Sequence, residues 1–167
     1  MRPIASFTVD HLRLEPGVYV SRVDTDPATG ARVTTLDLRL TAPNREPVMD
    51  TGAVHALEHL LATYLRNDEQ WSSRIVYAGP MGCRTGFYVV VFGSCTPAEI
   101  APLLVRAFEY ARDFEGEVPG ARPTECGNWH DSDLPMATWW AWRYLQTLYH
   151  LDEAHTTYPT IPEEDQA

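Results

Sequence analysis

Val33-Thr34-Thr35-Leu36-Asp37-Leu38-Arg39-Leu40 alternates apolar and polar side chains from Thr35 onward. In an extended chain Leu36, Leu38 and Leu40 point one way and Thr35, Asp37 and Arg39 the other, which predicts a strand with one face in a core. The polar face is expected to be solvated. Upstream, Val18-Tyr19-Val20-Ser21-Arg22-Val23 reads as a partner strand, and the intervening 24–30, with Asp26-Pro27 and Gly30, as the turn of an antiparallel hairpin.

Downstream, the prolines and Asn44 of 43–47 mark a loop. A helix then begins, with Asp50 or Thr51 as N-cap, and runs to about Arg66. Val54, Leu57, Leu61 and Leu65 form its core stripe; His55, Glu58, His59, Ala62 and Arg66 form a second stripe beside it. Two further strands are expected over 74–78 and 85–92, joined by the tight Gly79-Pro80-Met81-Gly82-Cys83 connection. Thr96-Pro97-Ala98-Glu99 is a capping box with proline at the first helical position, so a second helix starts there. A third, aromatic-rich helix starts near Asp133 or Pro135 and reaches about Leu151, its Trp and Tyr residues serving either the core or a subunit interface. This order is not a βαβ rhythm. It predicts an α+β fold, an antiparallel β-sheet with helices packed on one face.

The 167 residues suit one core, taken as a single domain over 1–151. Five acids and no Lys or Arg lie in 152–167, read as a flexible acidic C-terminal tail. The net charge of −10 argues against nucleic acid and anionic membranes as partners. The longest apolar run, Phe87-Tyr88-Val89-Val90-Val91-Phe92, is far too short to span a bilayer. Three cysteines, an odd number, and the lack of a signal-like N-terminus point to a reducing cytoplasm.

The chemistry concentrates at His55-Ala56-Leu57-Glu58-His59. Residues four apart share a helix face, so both imidazoles can reach one metal ion, with Glu58 beside it to move a proton. The same residues would also suit an exposed helix face. Cys126 is the natural third ligand and His130 its rival; a thiolate with two imidazoles suits a divalent transition metal and leaves a position open for substrate. Cys83, in its glycine-flanked turn, is a candidate reactive thiol, the bland reading being a small buried hydrophobe. Cys95 is given that bland reading, and His11, His150 and His155 are read as surface or hydrogen-bonded histidines.

Ser6-Phe7-x-x-Asp10-His11, Asp37-Leu38-Arg39, His55-Ala56-Leu57-Glu58-His59-Leu60-Leu61, the string from Pro80-Met81-Gly82-Cys83 through Arg84-Thr85-Gly86-Phe87-Tyr88, and Glu125-Cys126-Gly127 occur in this order. Together they resemble the S-ribosylhomocysteine lyase, or LuxS, family, from Ser6 to about Cys126. The resemblance implies an α+β homodimer with active sites at the subunit interface. It implies one Fe(II) per subunit, with zinc or cobalt in its place in some preparations. It also implies cleavage of S-ribosylhomocysteine to homocysteine and 4,5-dihydroxy-2,3-pentanedione, precursor of the autoinducer-2 signal, by successive carbonyl migration and β-elimination. By the same resemblance His55, His59 and Cys126 are metal ligands, Cys83 and Glu58 the catalytic acid/base pair, Ser6, His11 and Arg39 line the ribose end, and Arg66 meets the homocysteine carboxylate.

Two positions depart from the family. Tyr77-Ala78-Gly79 stands where the family usually has Asp-Ile-Ser, whose aspartate helps hold the homocysteine end, and Thr35 replaces a common lysine. Both touch substrate binding and spare the metal and proton-transfer residues. Rival readings are a non-catalytic or altered-substrate relative that binds an S-ribosyl or homocysteine-like ligand, and an inverted His-x-x-Glu-His metalloprotease. Cys126 as ligand, the Cys83 turn and the small size count against the protease.

Overall fold

A computed structural model describes residues 7–161. In chain order the elements are β1 (Gly17–Thr25), β2 (Arg32–Arg39), α1 (Thr51–Asn67), β3 (Ile75–Pro80), β4 (Gly86–Phe92), α2 (Pro97–Arg112) and α3 (Leu134–Leu148), then a 3₁₀ turn at Glu153–His155. The strands form one antiparallel sheet in the order β1-β2-β4-β3. The expected α+β fold is what the chain adopts.

The core lies between the sheet and the helices. Leu36 and Leu38 of β2 and Phe87, Val89 and Val91 of β4 meet Leu57, Leu60 and Leu61 of α1, Leu103, Leu104 and Phe108 of α2, and Tyr144 and Leu145 of α3. Burial of such side chains contributes roughly 1.5–3 kcal/mol each. The caps lie where local sequence places them. Asp50 accepts from Ala53 N–H to start α1, and Thr96 and Glu99 close the reciprocal capping box of α2. Asp133 caps α3, which ends at Leu148 rather than Leu151. The α3 aromatics divide: Trp140 and Tyr144 are buried, while Trp139 and Trp142 stand exposed.

β3 spans Ile75–Pro80 rather than 74–78 and carries an irregularity between Ile75 and Tyr77. Ile75 and Ala78 both reach the core, and the extra residue between them leaves Tyr77 46% exposed.

One expectation is corrected. The Thr35/Asp37/Arg39 face of β2 is not solvated: Asp37 is 1% and Arg39 4% exposed. The cover comes from the first part of the expected acidic tail, 152–161; its remainder, 162–167, lies outside the described residues. Residues 152–161 return to the body, where Val9 bridges Thr160, Tyr158 stacks on Tyr19, and Tyr19 Oη donates to backbone carbonyls of Glu15 and Ala154. Apolar and aromatic side chains around the acids, notably Tyr158, give that segment something to bury. Among the described residues no helix is long and apolar enough to cross a membrane.

Candidate metal centre and thiol cavity

α1 presents His55 and His59 one turn apart, their rings 4.6 Å between centroids and nearly perpendicular. Each ring is oriented by a backbone carbonyl. His55 Nδ1 lies 2.7 Å from Asp131 O and His59 Nδ1 2.6 Å from Pro119 O. A carbonyl oxygen only accepts, so both Nδ1 atoms carry a proton, and it is Nε2 of each neutral ring that can offer a lone pair to a metal. Cys126, positioned by its N–H to Arg122 O at 2.9 Å, brings Sγ to 3.3 Å from His55 Nε2. Ligand atoms of His55, His59 and Cys126 lie within 4.8 Å of one another. Two neutral imidazoles and one thiol, each ring braced from behind, suit zinc, iron or cobalt better than a hard cation such as magnesium.

Gly120 makes the His59 brace possible. Its φ is +73°, and a Cβ there would come to 3.0 Å from His59 Nδ1. Glu58 is half-buried on the same helix, adjacent to His59, and its carboxylate has no hydrogen-bond partner among the described residues. His130, the rival ligand, is not in the cluster; its ring lies 3.7 Å from that of Trp129.

A second group of expected residues assembles elsewhere. His11, Arg39 and Cys83 line one cavity of about 650 Å³ together with Thr85 and Tyr88. Arg39 donates from Nη2 to Asp37 and from Nη1 to Thr85 Oγ1, and Thr85 Oγ1 lies 3.0 Å from Cys83 Sγ. Partial burial alone would raise the Cys83 pKa. Hydrogen bonds from the Thr85 hydroxyl and from backbone N–H groups of Thr85 and Cys83, with the Arg39 charge, outweigh it and bring the thiol below its ordinary value. Cys95, in contrast, is buried and its pKa is raised by that burial, as a structural cysteine should be.

The two groups are not continuous within one chain. The cavity over Cys83 and the cleft between the histidines, bordered by Val118, Ala121 and Trp129, have no lining residue in common. Arg66 belongs to neither: exposed at the end of α1, it donates to Val76 O at 3.2 Å, beside Tyr77. Tyr77 folds its ring over Gly79, where a Cβ would collide with the phenol oxygen. Ser6 lies outside the described residues. Thr85, Gly120 and the carbonyls of Pro119 and Asp131 were not expected. Thr85 sits two residues from Cys83, so only its chemistry was overlooked, whereas the carbonyl braces leave no mark in side-chain identity.

A family model, S-Ribosylhomocysteinase (LuxS), matches residues 4–155. A protein of Clostridium acetobutylicum named S-ribosylhomocysteine lyase is 50% identical over 159 residues, 95% of this chain and 99% of its own. Proteins of the same name are 50% identical in Phocaeicola vulgatus, over 96% of this chain and 99% of that one, and 45% identical in Borrelia garinii, over 95% and 100%. With similarity running the length of both chains, and with the His55, His59 and Cys126 donors converging on one point, the chain belongs to the LuxS family.

Proposed function

We propose that the chain is a metal-dependent S-ribosylhomocysteine lyase, a carbon–sulfur lyase that releases homocysteine and 4,5-dihydroxy-2,3-pentanedione, the precursor in autoinducer synthesis for quorum sensing. The reading places it in the activated methyl cycle, where S-ribosylhomocysteine arises. The observation that carries it is the pairing of a braced His55–His59–Cys126 donor set with Glu58 at its side. When bound at these three residues, one Fe(II) per subunit, or zinc or cobalt in its place, would supply a Lewis acid to polarise a sugar carbonyl.

The protein's own groups handle the protons. A thiolate at Cys83 is favoured by its hydrogen bonds and can take a proton from the carbon next to the carbonyl and return it one carbon away. Two such transfers move the carbonyl from C1 to C3. Glu58, close to the metal ligands, is the group to move protons at the oxygens. Loss of the C4 proton then sends its electron pair into a C4–C5 double bond. The C5–S bond breaks, its pair stays on sulfur, and homocysteine leaves as the thiol after protonation. His11, Arg39 and Ser6 are assigned to the ribose end, and Arg66 to the homocysteine carboxylate.

Because the Cys83 cavity and the histidine cluster are separate in one chain, we assign the active form as a homodimer in which one protomer's Cys83 cavity faces its partner's metal cluster. Val23, Tyr77 and Phe92 are large apolar residues left exposed on strands of the sheet, and they suit such an interface. The reading places the enzyme in the cytoplasm, since Cys83 and Cys126 both have to stay reduced. Incubating anaerobically purified, iron-loaded protein with S-ribosylhomocysteine should release one free thiol per substrate; a loaded protein that releases none overturns the reading.

Tyr77 supports one variant of this function. With its ring over Gly79 and next to the strand carbonyl held by Arg66, it offers a neutral surface where an acid would grip an ammonium group. An acid there is worth roughly 1.5–3 kcal/mol. Tyr77→Asp should raise kcat/KM for S-ribosylhomocysteine if the natural substrate keeps its ammonium group. An unchanged or lower value removes position 77 from contact with that group.

A further inference from the structure

One buried network reaches Cys83 from the far end of the chain. Tyr158 Oη donates to Asp37 Oδ2 at 2.7 Å, and its ring stacks on Tyr19 at 4.7 Å and 6°. The same Asp37 oxygen accepts from Arg39 Nη2. Arg39 Nη1 donates to Thr85 Oγ1, which touches Cys83 Sγ. The directions of the first three bonds are forced: a carboxylate only accepts and a guanidinium only donates, so Tyr158 and Arg39 donate to Asp37, and Thr85 accepts from Arg39. A thiolate at Cys83 can only accept, so toward it the Thr85 hydroxyl proton is the donor. There is little redundancy: Asp37 Oδ1 and Arg39 Nε have no partner among the described residues. Tyr158 and Arg39 are therefore the side chains that hold the buried Asp37 carboxylate.

We propose that Tyr158 is a positioning residue for Cys83, its hydroxyl fixing Asp37 so that Arg39 and Thr85 present a hydroxyl proton to the sulfur. The proposal rests on the reading of Cys83 as the acid/base. Tyr158 lies beyond residue 155, where the match to the family model ends. Burial is the largest influence on Asp37 and pushes its carboxyl pKa up, while Arg39, Tyr158 and His11 oppose it. Removing the phenol hydroxyl takes away one of those supports and loosens the Arg39 fork. Cys83 then loses its oriented donor, and the thiolate becomes less favoured. Other charged or titratable groups around the cavity are His11, Arg45, Glu46 and Tyr88; Arg39 is the one whose charge acts on the sulfur.

The test is the pH profile of Cys83 alkylation by iodoacetamide in metal-loaded protein, read by mass spectrometry of the Cys83 peptide, with no substrate present. Tyr158→Phe keeps the ring and its stack on Tyr19. It should move the midpoint upward by about half a unit or more and lower kcat by roughly three- to tenfold. Tyr158→Ala should give the same shift and, in addition, a lower melting temperature. A wild-type alkylation profile in Tyr158→Phe overturns the proposal, as does a shift seen only in the Ala variant, which would make the effect one of packing. If neither wild type nor variant cleaves S-ribosylhomocysteine while the profile still shifts, the positioning role stands and the lyase reading falls.

Discussion

Gly120→Ala is a sharp perturbation of the candidate metal centre because it replaces none of the proposed ligands. Two costs can be worked from the geometry. Gly120 has φ +73°, a left-handed conformation that costs an L residue roughly 1–2 kcal/mol. The new Cβ would lie 3.0 Å from His59 Nδ1 and 3.2 Å from Cε1, tighter than ordinary contact, so ring or loop has to give by a few tenths of an ångström. That ring is seated on Pro119 O at 2.6 Å, the bond that leaves Nε2 to serve as its ligand atom in the cluster with His55 and Cys126. Losing an outer partner of a ligating histidine typically costs about 10–100-fold in metal affinity, or about 1.4–2.7 kcal/mol. Competition against a fluorescent chelator reads the affinity, and thermal melting of the metal-free protein reads the backbone cost. Gly120→Asn separates the two, since asparagine tolerates the left-handed region yet still carries the Cβ: it should melt close to wild type and lose as much affinity as Gly120→Ala. Wild-type affinity in both variants would refute the argument that the Pro119 carbonyl aims the ring.

His55→Ala, His59→Ala and Cys126→Ala should each bring metal content, measured by elemental analysis, toward zero; stoichiometric metal in Cys126→Ala would remove that thiol from the site. Glu58→Gln and Cys83→Ala should keep their metal and lose at least about 10²-fold in turnover, and wild-type turnover by Cys83→Ala would sink the mechanism. The Cys83 pKa is lowered in the fold by Thr85, backbone N–H groups and Arg39 against the opposing effect of burial. Activity that needs the thiolate is therefore present at high pH and lost as pH falls through the depressed value, and Thr85→Val should move that acid limb upward in the pH profile of kcat/KM. Sedimentation should show a homodimer; a stable, active species at the 18.8 kDa of one chain would refute the shared site.

What was legible in the sequence was local. The α2 capping box needs only Thr96 and Glu99, three residues apart, and both of its bonds form. The α1 histidines are legible for the same reason, because helical geometry fixes the relation between positions four apart whatever surrounds them. Cys126 required more, since its loop is placed by turns around Arg122 and not by any periodic pattern. The buried state of Asp37 was illegible on local grounds. Alternation reports that a strand has two faces, but not that Tyr158, 121 positions later, will cover the polar one.

The same distinction explains why the expected site residues separate into groups. Motifs in sequence order establish that His59 and Cys83 occur in one chain, but not that they meet in one fold. α1 and the turn after β3 are each well specified locally. Their relation is set by the sheet, where β4 lies between β2 and β3 and places Cys83 over Arg39 at one end. The histidines instead face the loops holding Pro119, Cys126 and Asp131. A single chain thus carries a complete donor set for a metal and a separate, poised thiol. Chemistry that uses both on one small substrate requires the surfaces bearing them to come together. In the proposed homodimer a second copy of the chain would supply each surface with the one it lacks, and a two-fold pairing would do so twice at once.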